Sequence, residues 1–385
     1  MKDDKSVSTS ARPRGPRSMR LRAKRGTRSR GERGSCALLL GALFMAACSG
    51  NGTESQLPEA VEVGVVLSST DLSLTIFEVE TPGQTRTVGL GPAGTPVTMA
   101  VRGNLAAVPL GVVPAVAVVD LKEGLLVRTV GLPLGSGATG AAFLNDSIVL
   151  VGNPSLNSVT PVNVITGTTG SDIVVGRFPQ AVVVEGGRAF VLNAELEFEF
   201  FAPDGPSTVS VIDIASLQVT STVTLSGENA AAGSVGADGR LYIVASGSFG
   251  SANGSLSVVD LAGLPVEVAN HPGFGEFPGS LALGPSVSGF VGTFAFVGAF
   301  SYGVVVWDTS LDVFTRGPAD ALAPGGIPHT SGVGFDAAGR LYTLTHDCQN
   351  PSTANRHDSM FEVDLTIPVG ICPIAIAITS LETEG

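Results

Sequence analysis

An all-β chain built from repeats is what this sequence predicts, on three observations. Fifty Gly and 24 Pro with only 15% charged residues describe many short buried strands joined by tight turns rather than helices. One segment shape recurs seven times: an apolar strand ending in an acidic or turn-forming residue, then a second strand. The intervals between those endings are 40, 43, 50, 47, 48 and 56 residues, close to the roughly 40 to 50 residues of a four-stranded propeller blade. The expected fold is a seven-bladed β-propeller over residues 60–379.

The seven endings are TIFEVE at Glu80, AVAVVD at Asp120, SVTPVN at Asn163, TVSVID at Asp213, SLSVVD at Asp260, GVVVWD at Asp308 and SMFEVD at Asp364. Earlier strands precede each one: FPQAVVVEGG and RAFVLNA before Asp213, GSVGADG and RLYIVAS before Asp260, FPGSLALG and TFAFVGA before Asp308, SGVGFDAAG and RLYTLTH before Asp364. Gly239 and Gly339 sit between first and second strands, where a tight turn asks for positive φ. A carboxylate repeated around the ring, with Asn163 in its place once, is structural: it accepts hydrogen bonds from backbone N–H groups two or three residues on. The ends supply a check. PIAIAIT (373–379) reads as a first strand with no blade after it, and AVEVGVVLSS (60–69) as a second strand with nothing before it. Pairing the two closes the ring and leaves no inner edge.

The repeats resemble the YVTN family of β-propeller repeats, in its bacterial surface-protein and lipoprotein branch. Carrying the resemblance are the second strands Tyr342-Thr343-Leu344-Thr345-His346 and Tyr242-Ile243-Val244-Ala245-Ser246, the Val-x-Asn endings at Asn153 and Asn193, and the Val-Ile-Asp and Val-Val-Asp turns. It is strongest over residues 176–365; Ser246 and His346 stand where the pattern has Asn.

Residues 1–35 hold 12 Lys and Arg against Asp3, Asp4 and Glu32, followed by the apolar run from Cys36 to Cys48. A charged stretch, a short apolar core and small residues make a secretory signal, too short to span a bilayer. Residues 1–47 are read as that signal, with Met19 as a second candidate start. Ala46-Ala47-Cys48 resembles a bacterial lipobox, which implies a lipidated Cys48; the alternative is ordinary cleavage near Ala47. Residues 48–59 form a polar tether and 380–385 a tail.

Beyond residue 35 the chain carries 10 basic and 31 acidic residues, with Lys122 its one lysine. Such a body suits neither nucleic acid nor anionic lipid, both of which need clustered positive charge. The expected contact with a membrane is through the lipid alone, in the periplasm or at the cell surface, and the expected state is a monomer.

In a propeller the loops joining second to third strands share a face with those joining blade to blade. Cys348 falls in the former kind and Cys372 in the latter, so an exported chain is expected to form a Cys348–Cys372 disulfide. Closing residues 349–371 into a loop is worth about 3 kcal/mol in the chain-entropy account. AELEFEFFAPDGPS (194–207) and DCQNPSTANRHDS (347–359) read as insertions on that face, and insertions commonly mark the binding side of a repeat protein. His271, His329, His346 and His357 are assigned to it as well, with Asp347, Glu195, Glu197 and Glu199. Two readings of this set stand side by side: a divalent metal site, or solvated and locally bonded side chains. In ELEFEFF an extended strand puts the glutamates on one side and Leu196, Phe198 and Phe200 on the other, as a partner-binding edge or as packing; Trp307 is read as packing.

Catalytic templates are absent: no G-x-S-x-G, no Walker loop, no H-E-x-x-H and no G-x-G-x-x-G opening a helix. The expectation is an exported lipoprotein whose propeller binds an envelope protein or a small ligand, without a cofactor. The alternative is a metal-assisted hydrolase, lactonase-like, or a redox accessory using the histidine-bearing face.

Overall fold

The computed structural model describes residues 60–197, 199–284, 293–324 and 329–381. Signal, lipidation site and tether therefore lie outside the described residues, as do Phe198 and the last four residues of the tail.

Seven antiparallel sheets form a ring. Blade 1 combines Pro373–Leu381 with Val61–Ser68, Ser73–Glu78 and Thr85–Gly89. Blade 2 runs Ala100–Arg102, Leu105–Pro109, Ala115–Asp120, Leu125–Gly131. Blade 3 has Ala141–Phe143, Ile148–Asn153, Ser158–Asn163 and an outer edge shared by Thr168–Thr169 and Ile173–Val174. Blades 4, 5 and 6 begin at Pro179–Glu185, Ala230–Val235 and Pro278–Gly284. Blade 7 is Thr330–Phe335, Leu341–Thr345, Pro351–His357 and Val363–Ile371. The first strand of each blade is innermost and packs against the first strands of its neighbours.

Sequence explains this layering. Second and third strands such as Arg188–Asn193 and Thr208–Asp213 are buried almost throughout because blades cover both their faces. They read as continuous apolar runs for that reason. Fourth strands such as Gln218–Thr224 lie at the rim and are mostly exposed. Among the described residues apolar clusters fill the ring, several of them spanning neighbouring blades; one joins Phe77 and Val66 of blade 1 to Tyr342 and Leu344 of blade 7. Each fully buried Leu, Ile or Phe contributes about 1.5–3 kcal/mol by transfer from water. Gly140 marks how tightly the inner strands approach: a Cβ there would lie 2.4 Å from the Gln180 carbonyl oxygen and 2.6 Å from Ala181 Cα. Gly239 and Gly339 have φ of 74° and 80°, as their turns require.

The ring closes as the two end fragments foretold. Val61 pairs with Leu381 and the register runs to Ser68 opposite Pro373, with one irregularity between Leu67 and Ser68. The C-terminal strand extends to Leu381, two residues beyond the expected 379.

The first and seventh repeats need correction. In blade 7 the third strand is Pro351–His357, and SMFEVD covers the following turn and the start of the fourth strand. Residues 347–359 are therefore no insertion. PSTANRH escapes an apolar pattern because its polar groups bond across the sheet: Asn355 Nδ2 donates to Thr345 Oγ1 at 2.8 Å, and His357 Nε2 meets Thr343 Oγ1 at 2.9 Å. Asp358 is the turn residue, and Asp364 instead pairs with Arg356 at 2.9 and 3.0 Å. In blade 1 the third strand ends at Glu78, and Glu80 reaches Arg340 of blade 7 at 2.5 Å.

Candidate binding face

The ring has two unlike faces. On the lower face, third strands turn into fourth strands. There the Asp120 carboxylate accepts from Lys122 N and Glu123 N, Asn163 from Ile165 N and Thr166 N, Asp213 from Ser216 N, and Asp260 from Ala262 N. Asp308 accepts from Ser310 N and Leu311 N, Asp358 from Met360 N and Glu362 N. These bonds to the charged form hold Asp213 and Asp308 below the usual carboxylate range, the Ser216 and Ser310 hydroxyls contributing most. Six of the seven repeats thus use the residue as a turn clasp.

The upper face carries the loops joining second to third strands and blade to blade. A cavity of about 590 Å³ opens there along the ring axis. Small and apolar groups of the inner strands line it, with Phe178, Leu196, Phe201 and Phe277 among them. Among its described lining residues there is no Asp, Glu, His, Lys or Arg. All five exposed phenylalanines of the described residues stand on this face: Phe200, Phe201, Phe249, Phe277 and Phe300. Phe178 and Phe201 meet edge to face at 5.7 Å, Phe249 and Phe277 at 5.8 Å.

Backbone geometry makes those aromatics informative. The residue just before the inner strand has left-handed φ in four blades: Phe178 (54°), Asn229 (59°), Phe277 (53°) and Cys372 (59°). Asn tolerates that region, whereas a bulky residue there costs about 1–2 kcal/mol. The junction imposes the conformation, yet in blades 4 and 6 it holds a phenylalanine at the cavity.

The face is also acidic. Arg177 is the single Lys or Arg of its described loops, and it is already bonded by Asp204 at 2.7 Å and Glu195 at 3.3 Å. Glu197, Glu199, Glu228 and Glu276 have no ion pair among the described residues. Glu195 is a clasp rather than a ligand, since it also accepts from Thr208 Oγ1 at 2.7 Å.

The expected histidine cluster divides. His329 and His346 come together on the upper face, the His329 ring stacked at 4.4 Å on Phe300 and the His346 ring 5.4 Å from the same phenylalanine. His346 N–H donates to the His329 carbonyl at 3.2 Å. Asp347 beside them is committed to its own turn, accepting from Gln349 N, Asn350 N and Asn350 Nδ2, which lowers its pKa to about 2. His271 lies on the outermost strand of blade 5, against Trp307 at 4.8 Å and Asp312 at 3.4 Å. His357 ends a third strand and so belongs to the lower face. It is buried, with Nδ1 3.0 Å from the Phe361 carbonyl, which makes Nδ1 the donor and leaves Nε2 to Thr343.

The Cys348–Cys372 disulfide is present, bridging the blade 7 loop to the junction with blade 1. His346 adjoins it, Nδ1 being 2.9 Å from Cys348 Sγ and 3.9 Å from Cys372 Sγ. Sequence reasoning placed this bond correctly but missed the aromatic mouth. Its signal was the Phe-Pro pair at 178–179 and again at 277–278, both opening inner strands.

No protein-family model matches the chain, and no curated protein matches it either. Among solved structures, hydrazine synthase of Kuenenia stuttgartiensis superposes with a TM-score of 0.53 at 15% identity, covering 76% of this chain and 97% of that one. At that identity the likeness establishes the propeller fold, and with the seven sheets of the ring this chain is a seven-bladed β-propeller.

Proposed function

We propose that this propeller, of the YVTN type, is a binding module at the cell envelope. Its occupant is a ligand or peptide segment with an apolar group for the axial cavity and a positive charge for the rim. One observation carries the reading: three phenylalanines, Phe178, Phe201 and Phe277, are held at left-handed φ beside the cavity, a conformation that backbone energetics oppose. Uncompensated Glu197, Glu199, Glu228 and Glu276 supply the charge complement. A metal-assisted hydrolase built on central acids is the weaker reading, because the described cavity lining offers no carboxylate or imidazole.

The test uses two pooled peptide libraries of equal aromatic content, one bearing Lys and Arg, the other Asp and Glu. The basic pool is expected to bind, more weakly as salt rises, and Phe201→Ala with Glu276→Lys is expected to weaken it at least tenfold. Equal retention of both pools would refute the reading.

Export and anchoring rest on the Arg-rich lead, the apolar run and Ala46-Ala47-Cys48; the disulfide fits an oxidising compartment. Cys48→Ser is expected to move the protein from the membrane fraction to the soluble one, and unchanged fractionation rejects the anchor.

A further inference from the structure

We propose that His346, Cys348 and Cys372 form a redox-gated metal site: once a dithiol reductant opens the disulfide, two thiolates and the imidazole bind one Zn²⁺. The three ligand atoms, one from each residue, lie within 4.8 Å of one another. His346 lies one residue beyond Thr345, the strand-end residue of blade 7 equivalent to Asn153 in blade 3 and Asn193 in blade 4. Those asparagines donate to hydroxyls of the next strand: Ser158 and Thr160, and Thr208 and Ser210. His346 makes no such bond. It is 5% exposed, its Nε2 has no hydrogen-bond partner among the described residues, and its Nδ1 faces the sulfurs alone. A disulfide sulfur is a poor partner for a buried imidazole, whereas a thiolate or a thiolate-bound metal is a good one.

Dimensions agree. Tetrahedral Zn²⁺ with Zn–S of about 2.3 Å and Zn–N of about 2.0–2.1 Å needs S···N separations of about 3.5 Å. The observed 2.9 and 3.9 Å straddle that value. The sulfurs must part by side-chain rotation, and the strands adjoining them do not depend on their bond: Leu341–Thr345 is paired on both sides, and Pro373–Leu381 is zipped to Val61–Ser68. Both cysteines are half-exposed and hold left-handed φ, 55° and 59°. Small thiols therefore reach the bond, and strained backbone of this kind gathers at functional sites.

The step balances. Two electrons pass from the dithiol, which becomes a cyclic disulfide, to the Cys348–Cys372 bond, and its two protons pass to the released sulfurs. Zn²⁺ then displaces both protons to solvent, and water fills the fourth position.

The experiment uses the full chain with Cys36→Ser and Cys48→Ser, so that no other cysteine binds metal. Co²⁺ serves as the spectroscopic probe and Zn²⁺ as competitor. After reduction with dithiothreitol and its anaerobic removal, one equivalent of Co²⁺ is expected, with thiolate-to-cobalt charge-transfer absorption that one equivalent of Zn²⁺ abolishes. The oxidised protein should show none. His346→Gln should weaken binding at least tenfold while circular dichroism and melting stay unchanged. His346→Asn, a shorter carboxamide, guards against misfolding of the glutamine variant. Absent charge transfer in folded reduced protein, binding undiminished in both His346 variants, or unfolding on reduction would each overturn the proposal.

Discussion

The two faces of the ring are made from the same repeat yet spend their polar residues differently. Below, a carboxylate or carboxamide at the end of the third strand accepts backbone N–H groups in six blades, and arginines finish the job: Arg340 binds Asp336 and Glu80, Arg356 binds Asp364. Above, four glutamates stand without an ion pair among the described residues and phenylalanines face outward, while left-handed non-glycine backbone occurs on both faces, at Leu217, Asp312 and Phe361 below as at Phe178 and Phe277 above. Where the repeated side chain clasps backbone N–H groups the face is scaffold; where exposed phenylalanines and uncompensated charge gather, stability alone does not explain the residues.

That contrast can be broken in three places, in order of expected effect. Asp308 is nearly buried and serves Ser310 N, Leu311 N and the Ser310 hydroxyl. Asp308→Ala is expected to lower unfolding free energy by about 2 kcal/mol, measured in urea, with peptide binding above unchanged. A loss below 0.5 kcal/mol would deny the clasp its role.

His357 gives a smaller, pH-dependent effect. Burial pushes its pKa below the ordinary value of about 6.5, against the upward pull of the Phe361 carbonyl and of Asp364, Asp358 and Glu362. The unfolded chain then binds the proton more readily than the folded one. Stability from this group is complete above about pH 6.5 and is lost as pH falls from there toward the folded value. Subtracting the unfolding free energies of His357→Gln from those of the native protein, from pH 7.5 to 5, should reveal that slope; a flat difference contradicts it.

The smallest expected change is at the mouth. Phe277→Asn removes the contact with Phe249, worth about 0.5–1.5 kcal/mol, and relieves left-handed strain of about 1–2 kcal/mol. Thermal unfolding should shift by no more than about 1 kcal/mol in either direction while binding of the basic peptides falls. A core-sized loss of about 3 kcal/mol or more would make Phe277 packing instead.

Much of the lower face was legible because a turn clasp recurs at a fixed period: Asp120, Asn163, Asp213, Asp260 and Asp308 were all located from spacing. The seventh was displaced by six residues. A polar third strand, whose Asn355 and His357 bond sideways, hid beneath the apolar-looking SMFEVD, and His357 was carried to the wrong face with it. Upper-face geometry was less legible. Burial of Glu195 against Arg177 and Thr208, the seat of His271 on Trp307, and the meeting of Phe178 with Phe201 all depend on contacts between different blades or within one folded loop. No short stretch of sequence encodes such contacts. The disulfide was the exception, since the alternation of strands already assigns each loop to a face.

The pairing of Val61 with Leu381 sets where the ring can be opened. Both ends of the described propeller leave side by side on the lower face, so a short linker joining them would respect every strand partner. The chain could then be cut at the exposed Gly186-Gly187 turn and give a circular permutant with the same seven sheets. Attachment through either end, whether to a tag, a bead or a second domain, leaves the aromatic mouth unobstructed.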